Sequence, residues 1–317
     1  MTNNNHPIIS VGDLVADIIT AIPVLPAVAG QHQVADEVRL EPGGGANFLI
    51  AGARLGWPMA AIGALGADEW GQRVAAALQA EGIDLSGVTL SGTTTTVIVL
   101  VSRAGEHVFL GQYGHGPTVT VGDAASRLLH RAGAVFCAGY TLLEARLVEA
   151  ALDALAQAKA AGIPVYFDPG PQMAGVPPQI KARLLPLVDV VLTTVEEIPL
   201  LLVDGSTPAD VLAAGVGVVV AKRGAAGCAV YAAGESAPVV DLPGHPVSVV
   251  DTSAAGDSFN AGFMVGRLRG WSLAEAARLA NAVGAAKVQK LGGGRSVPTL
   301  PEVRAVIEQF GVSLPWL

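Results

Sequence analysis

VVDTSAAGDSFNAGFM, residues 249–264, runs from an apolar strand end through small residues into an aspartate that opens an apolar-periodic helix. Because Ala254, Ala255 and Gly256 have almost no side chain, three successive backbone N–H groups can converge at the positive end of that helix. That is a cradle for phosphate. The carboxylate of Asp257 stands beside it, where it can take a proton from a hydroxyl attacking the bound phosphoryl group. The same residues also describe a plain strand-to-helix turn, since aspartate is favoured at a helix N-terminus. Phosphoryl transfer to an alcohol is the reading with chemical content.

The flanking sequence supplies the scaffold. From residue 134 onward the short apolar runs AVFCAGY, IPVYFD, VDVVLTT and VGVVVAKRG alternate with helical stretches near 143–161, 178–185 and 195–202. Apolar strands separated by helices predict a mostly parallel sheet covered on both faces, with ligands at the carboxyl ends of its strands. AGCAVYAAG and APVVDLPG predict a late antiparallel section, and three helices follow near 257–269, 273–289 and 301–310. In the first half, residues 8–22 read as strands interrupted at Gly12 and Asp13, with proline turns at Pro23 and Pro26. Residues 55–83 read as strand, loop and helix. The segments 93–102 and 106–112 form a hairpin, turning at Arg103, Ala104 and Gly105.

Composition bounds the partners. The chain has 317 residues, 51% of them apolar, which is enough for a large core. Its net charge is −8 and no basic block stands out, so neither a nucleic acid nor a membrane surface is expected as partner. No lysine precedes Lys159, so a doubly anionic substrate would find few partners in the first half. Cys137 and Cys228 form no C-x-x-C pair, and the six histidines form no metal-binding cluster. The start, MTNNNHPIIS, lacks a secretion signal, and no apolar run is long enough to span a bilayer, which predicts a cytoplasmic protein. There is no G-x-x-x-x-G-K-[ST] and no G-x-G-x-x-G after the first strand, which argues against a P-loop kinase and a nicotinamide-dependent oxidoreductase.

Two further places bear on a substrate. In EPGGGANFLIAGARLG, residues 41–56, Gly43, Gly44 and Gly45 would let backbone approach a ligand, and Asn47 offers an amide donor and an acceptor to paired hydroxyls. Taken alone, these residues read more plainly as a glycine-rich turn before a core helix. Asp13 follows the first apolar run and would lie at a strand's carboxyl edge, or else start a turn.

Taken together, DTSAAGD with SFNAGF resembles the C-terminal signature of the ribokinase-like (PfkB) carbohydrate kinases, written D-T-x-G-A-G-D, with Ala254 where glycine is commoner. The resemblance extends over essentially the whole chain. It implies an α/β fold with a central, mostly parallel sheet, helices on both faces and a small β-sheet lid from about 19–40 and 93–114, which in many members is also a homodimer interface. It implies ATP as phosphoryl donor, Asp257 as catalytic base, and the amides of Ala254, Ala255 and Gly256 as the anion hole. It puts substrate hydroxyls on Asp13 and on the Gly43–Asn47 loop. Thr194 and Glu197 occupy the place of the family's N-x-x-E motif, whose glutamate organises Mg2+ and its waters, with threonine replacing asparagine. AKRGAAG resembles the nucleotide-binding turn, placing Lys222, Gly224 and Gly227 near the nucleotide, and Asn281 falls where members contact adenine. A K+ site near Asp251 and the loop around Gly293 is also implied. The family's D-P-N-x-R run appears as Asp168, Pro169, Gly170, Pro171 and Gln172, without the arginine that would pair an acidic sugar, which favours a neutral hexose or pentose. A nucleoside, stacked by Phe48, Phe109 or Tyr113, and a catalytically silent sugar-binding protein are the alternatives.

Overall fold

The computed structural model describes residues 6–104, 106–202 and 205–315; Gly105 of the expected hairpin turn lies outside them. The chain begins with β1 (Ile8–Ile22), β2 (Glu37–Gly44), α1 (Gly45–Arg54), β3 (Met59–Leu65), α2 (Glu69–Ala80), β4 (Asp84–Leu90), β5 (Thr95–Ser102) and β6 (His107–Gln112). It continues with α3 (Asp123–Leu129), β7 (Ala134–Ala138), α4 (Val148–Ala160), β8 (Val165–Asp168), α5 (Pro178–Leu184), β9 (Val190–Thr194), α6 (Pro208–Ala213) and β10 (Val218–Lys222). Next come β11 (Cys228–Ala232), β12 (Val240–Leu242), α7 (Ala255–Leu268), α8 (Leu273–Lys287) and α9 (Leu300–Gln309).

The main sheet has the order β12-β11-β10-β9-β8-β7-β1-β3-β4, parallel from β10 to β4, with β11 and β12 antiparallel at one edge. Its strands are short and apolar because both faces are covered. One face packs against α1, α7, α8 and α9, where the Phe48 and Phe136 rings stack at 4.1 Å; the other packs against α3, α4, α5 and α6. Cys137 and Cys228 are buried and unpaired. Among the described residues no helix is long and apolar enough to cross a membrane.

β1 does not break at Gly12 and Asp13, as the sequence predicts, but runs through them into a second sheet. Up to Asp13 it pairs in parallel with β3; from Leu14 it pairs antiparallel with β2 and, from Val15, in parallel with β5. β6 completes the small sheet by pairing with β5. Gly12 permits the crossing: its φ is 154°, and a Cβ there would lie 2.4 Å from Thr141 Oγ1. Glycine here bends a strand rather than ending it.

Two helices also differ from expectation. The stretch 195–202 holds only a 3-10 turn, Ile198–Leu200, because Pro199 has no N–H to continue a ladder; α6 starts later behind a Thr207 capping box. α4 begins at Val148, preceded by a 3-10 turn at Gly139–Leu143.

Candidate active site

The first turn of a helix has no carbonyls behind it, so its amides must find other partners. At the mouth of α7 the Ala255 amide reaches back to the Thr252 carbonyl at 3.2 Å, while those of Gly256 and Asp257 make no backbone bond. Of the amides expected at 254–256, that of Ala255 takes part in the turn and that of Gly256 is left to meet a ligand. Ala254 caps the helix at φ 57°, the one non-glycine with positive φ among the described residues. An alanine in that conformation stores about 1 kcal/mol of strain. Asp251 ties the turn down, its Oδ1 accepting from Ser253 N and Oγ at 2.9 Å each and its Oδ2 from Gly292 N at 2.6 Å.

Asp257 sits where several elements meet. Burial, then the neighbouring Asp168 carboxylate, pushes its pKa up to about 7; Lys222, the Asn47 amide and Lys287 pull the other way. It is a carboxyl group that changes charge near neutrality. Asp168, at the end of β8, receives Lys222 Nζ at 2.6 Å and Asn260 Nδ2 at 2.5 Å on the same oxygen, and Lys222 also donates to Asn260 Oδ1 at 3.2 Å. Lys222 is only 8% exposed, and a Cβ on Gly256 would lie 3.5 Å from its Nζ. Expected to extend toward the nucleotide from a strand end, Lys222 is instead committed to a buried triad directly behind the cradle. The reason is register. As the last residue of β10, opposite Thr194 of β9, it faces α7 and meets Asn260 on that helix.

On the other side of Asp257 lies the glycine-rich loop. Gly43, next to the end of β2, lies so close to Asp17 that a Cβ would be 2.0 Å from that carboxyl carbon, so only glycine fits. Gly44, at φ 54°, is the N-cap of α1, and Gly45 opens the helix that carries Asn47. Asn47 is buried, and its Oδ1 accepts from Gly294 N at 2.8 Å, which joins this loop to the one that Asp251 holds. Asp17, absent from the expected site, is raised to about 7 by burial, then by the charges of Asp257 and Glu41.

Asp13, the acid singled out from the sequence, is held elsewhere. Its carboxylate is bonded by Thr95 Oγ1 and paired with Arg146 at 3.4 Å; Arg146 also approaches Glu144 at 3.6 Å. Asp13 and Asp17 lie four residues apart on one strand and therefore on one face. Expecting a break at Asp13 concealed the second acid. Phe48 is fully buried against Phe136 and cannot stack a base, whereas Phe109 and Tyr113 are exposed.

Toward the carboxyl ends of β9 and β10, Glu197 accepts the Thr194 N–H at 2.8 Å, and its pKa is raised by burial and by Asp168. Among the described residues no three His, Cys, Asp or Glu side chains cluster to hold a metal. The buried Glu197 and the half-buried Asp168, which repel one another, do fit a divalent ion held through water and phosphate, since Mg2+ takes few protein ligands. Gly224 has a φ of 56° with open space around it, whereas Gly227 packs against the Leu242 carbonyl, where a Cβ would come within 2.1 Å. Asn281 donates to the Pro243 carbonyl at 3.2 Å and lines a cavity of about 660 Å³ with Leu242, His245, Arg278 and Leu314.

Known proteins are similar to this chain in sequence and in fold. The sequence matches the family described as pfkB family carbohydrate kinase over residues 5–300. It is 29% identical over 309 residues to the ATP-dependent ribose-1-phosphate kinase of Halopiger xanaduensis, covering 95% of this chain and 98% of that protein. The structure of Arabidopsis thaliana ribokinase complexed with ribose and ATP superposes with a TM-score of 0.80 at 27% identity, covering 96% of this chain and 99% of that one. A protein assigned as ribokinase II of E. coli, in complex with ATP and Mg2+, gives 0.81 at 25% identity over 96% and 99%. The chain belongs to the pfkB family of carbohydrate kinases, phosphotransferases that use an alcohol as acceptor.

Proposed function

We propose that this protein is an ATP-dependent kinase of a small neutral sugar, with Asp257 as general base. One observation carries the reading: the buried Asp257 carboxyl lies between Asn47 of the glycine-rich loop on one side and Lys222 with Asp168 on the other, beside the Gly256 backbone. Asp17, Asn47 and the backbone at Gly43 would hold the sugar hydroxyls. Asp257 would take the proton of the attacking hydroxyl as its oxygen bonds to the γ-phosphorus and the bond to ADP breaks. The amides of Gly256 and Asp257, with Lys222 behind them, would stabilise charge developing on the phosphoryl oxygens. Mg2+ held near Glu197 and Asp168 would neutralise the nucleotide phosphates. The cavity at Asn281 suits the adenine.

Carboxylates at Asp17, Glu41 and Asp257 disfavour a substrate that is already phosphorylated or acidic, by like-charge repulsion in a buried site. Sugar-dependent ADP release across ribose, fructose, ribose 1-phosphate, 2-keto-3-deoxygluconate, adenosine and cytidine tests this. A free sugar is expected to be the best acceptor, and a phosphorylated or acidic acceptor that outperforms it would overturn the neutral-sugar reading. With that sugar, Asp17→Asn is expected to raise KM at least about tenfold, because lost hydroxyl partners leave polar groups unpaired. Its KM for ATP should hold steady, and an equal change in both constants would remove Asp17 from the sugar end.

The small sheet, around 19–40 and 93–114, is the proposed lid, and Asp17 and Gly43 lie on two of its strands. It leaves Val38, Ile98, Val108, Phe109 and Leu110 exposed on β2, β5 and β6. A second copy of the chain is the proposed cover for these apolar groups. Light scattering should give a dimer mass that Phe109→Glu halves; a monomer at every concentration would exclude the pairing.

A further inference from the structure

Lys287, the last residue of α8, is 0% exposed, yet among the described residues it makes no ion pair. Its Nζ donates to the Lys290 carbonyl at 2.9 Å, inside the turn that leads to Gly292. The charges that bear on it are Asp251 and Asp257, which attract it, and Lys290 and Arg39, which repel it. A buried ammonium without a directly bonded carboxylate is costly, and here the attraction of Asp251 and Asp257 and the Lys290 carbonyl offset part of that cost. The loops on either side of it are those that build the phosphate cradle: 251–254, and 288–294, which is held to the first by the Asp251 carboxylate.

The K+ site implied by the family resemblance would use oxygen donors from these same loops. Here those oxygens already have donors of the protein's own. Asp251 Oδ1 accepts from Ser253 N and Oγ, its Oδ2 from Gly292 N, and the Lys290 carbonyl receives the Lys287 ammonium, which already supplies the positive charge. A second cation would compete with this ammonium for the Lys290 carbonyl and the Asp251 charge and would be repelled by it, so the residues present do not fit K+ as well.

We propose that the Lys287 ammonium is a built-in cation for the cradle loops, so that this kinase works without added K+ and Lys287 serves as a positioning residue for α7. The activity arm of the test rests on the kinase reading; the melting arm does not. Turnover and Tm are to be measured in KCl, NaCl and tetramethylammonium chloride at equal ionic strength, for the unaltered chain and for Lys287→Ala. The unaltered chain is expected to show the same Tm in all three salts and turnover equal within about twofold. Lys287→Ala should lose activity and melt lower in tetramethylammonium, and K+ should restore both several-fold better than tetramethylammonium does. A K+-specific rise in Tm or turnover of the unaltered chain overturns the proposal, and this holds even where Lys287→Ala fails to fold. A Lys287→Ala variant that matches the unaltered chain in tetramethylammonium also overturns it. Absence of sugar-dependent ADP release in every salt would sink the kinase reading and leave the melting comparison to judge Lys287.

Discussion

Asp257→Asn should lower kcat by about 10³-fold, the range in which a missing general base is felt, while ATP binding stays within about twofold. The amide keeps the size of the side chain and removes the proton acceptor, so the loss falls on the chemical step. As the proposed base, the same residue should set the acid limb of the pH profile. Its carboxyl group is held near 7 by burial and by Asp168, and a base in the proposed role has to be ionised to accept a proton. Activity should therefore be low below about pH 6, rise through about 7 and level off above. Lower pH protonates the base, so the sign is fixed. A limb near the ordinary carboxylate range, or substantial turnover by Asp257→Asn, would remove Asp257 from the proton transfer.

The residues that made this centre legible in the sequence are those whose requirement is local. A run of small residues ending in Asp257, and glycines ahead of Asn47, express close backbone approach within a few positions of chain. The parallel sheet was legible for a similar reason: short apolar runs such as VYF and VVL are what a strand covered on both faces needs. The partners of Asp168 were not legible. Lys222 and Asn260 lie 54 and 92 residues away, and only the strand order β10-β9-β8, with α7 packed against it, brings them together. Asp17 was hidden by a different cause. Gly12 reads as punctuation in sequence, while in the fold it is the point where one strand passes between two sheets. Glu197 and Thr194 were found as a pair, but their mutual hydrogen bond makes the glutamate a cap of its own turn as well as a candidate for Mg2+.

Lys222→Met is expected to cost both stability and rate, and a companion variant separates the two. Removing the ammonium strands the Asp168 carboxylate in a site where it keeps Asn260 and the Gly170 N–H but no cation. Breaking one side of a buried pair typically costs about 3–5 kcal/mol, so Tm should fall by many degrees. The rate should fall as well, by about 10²-fold, because the positive charge nearest Gly256 is gone when the phosphoryl group develops charge. Lys222 also opposes the upward push of Asp168 on Asp257, so without it the acid limb should move to higher pH. In Lys222→Met/Asp168→Asn both influences vanish together. Stability should recover and the limb should return toward its original position, yet kcat on the alkaline plateau should stay low. A merely structural lysine would give the opposite pattern: the single variant would keep its acid limb, and the double variant would regain full kcat along with its Tm.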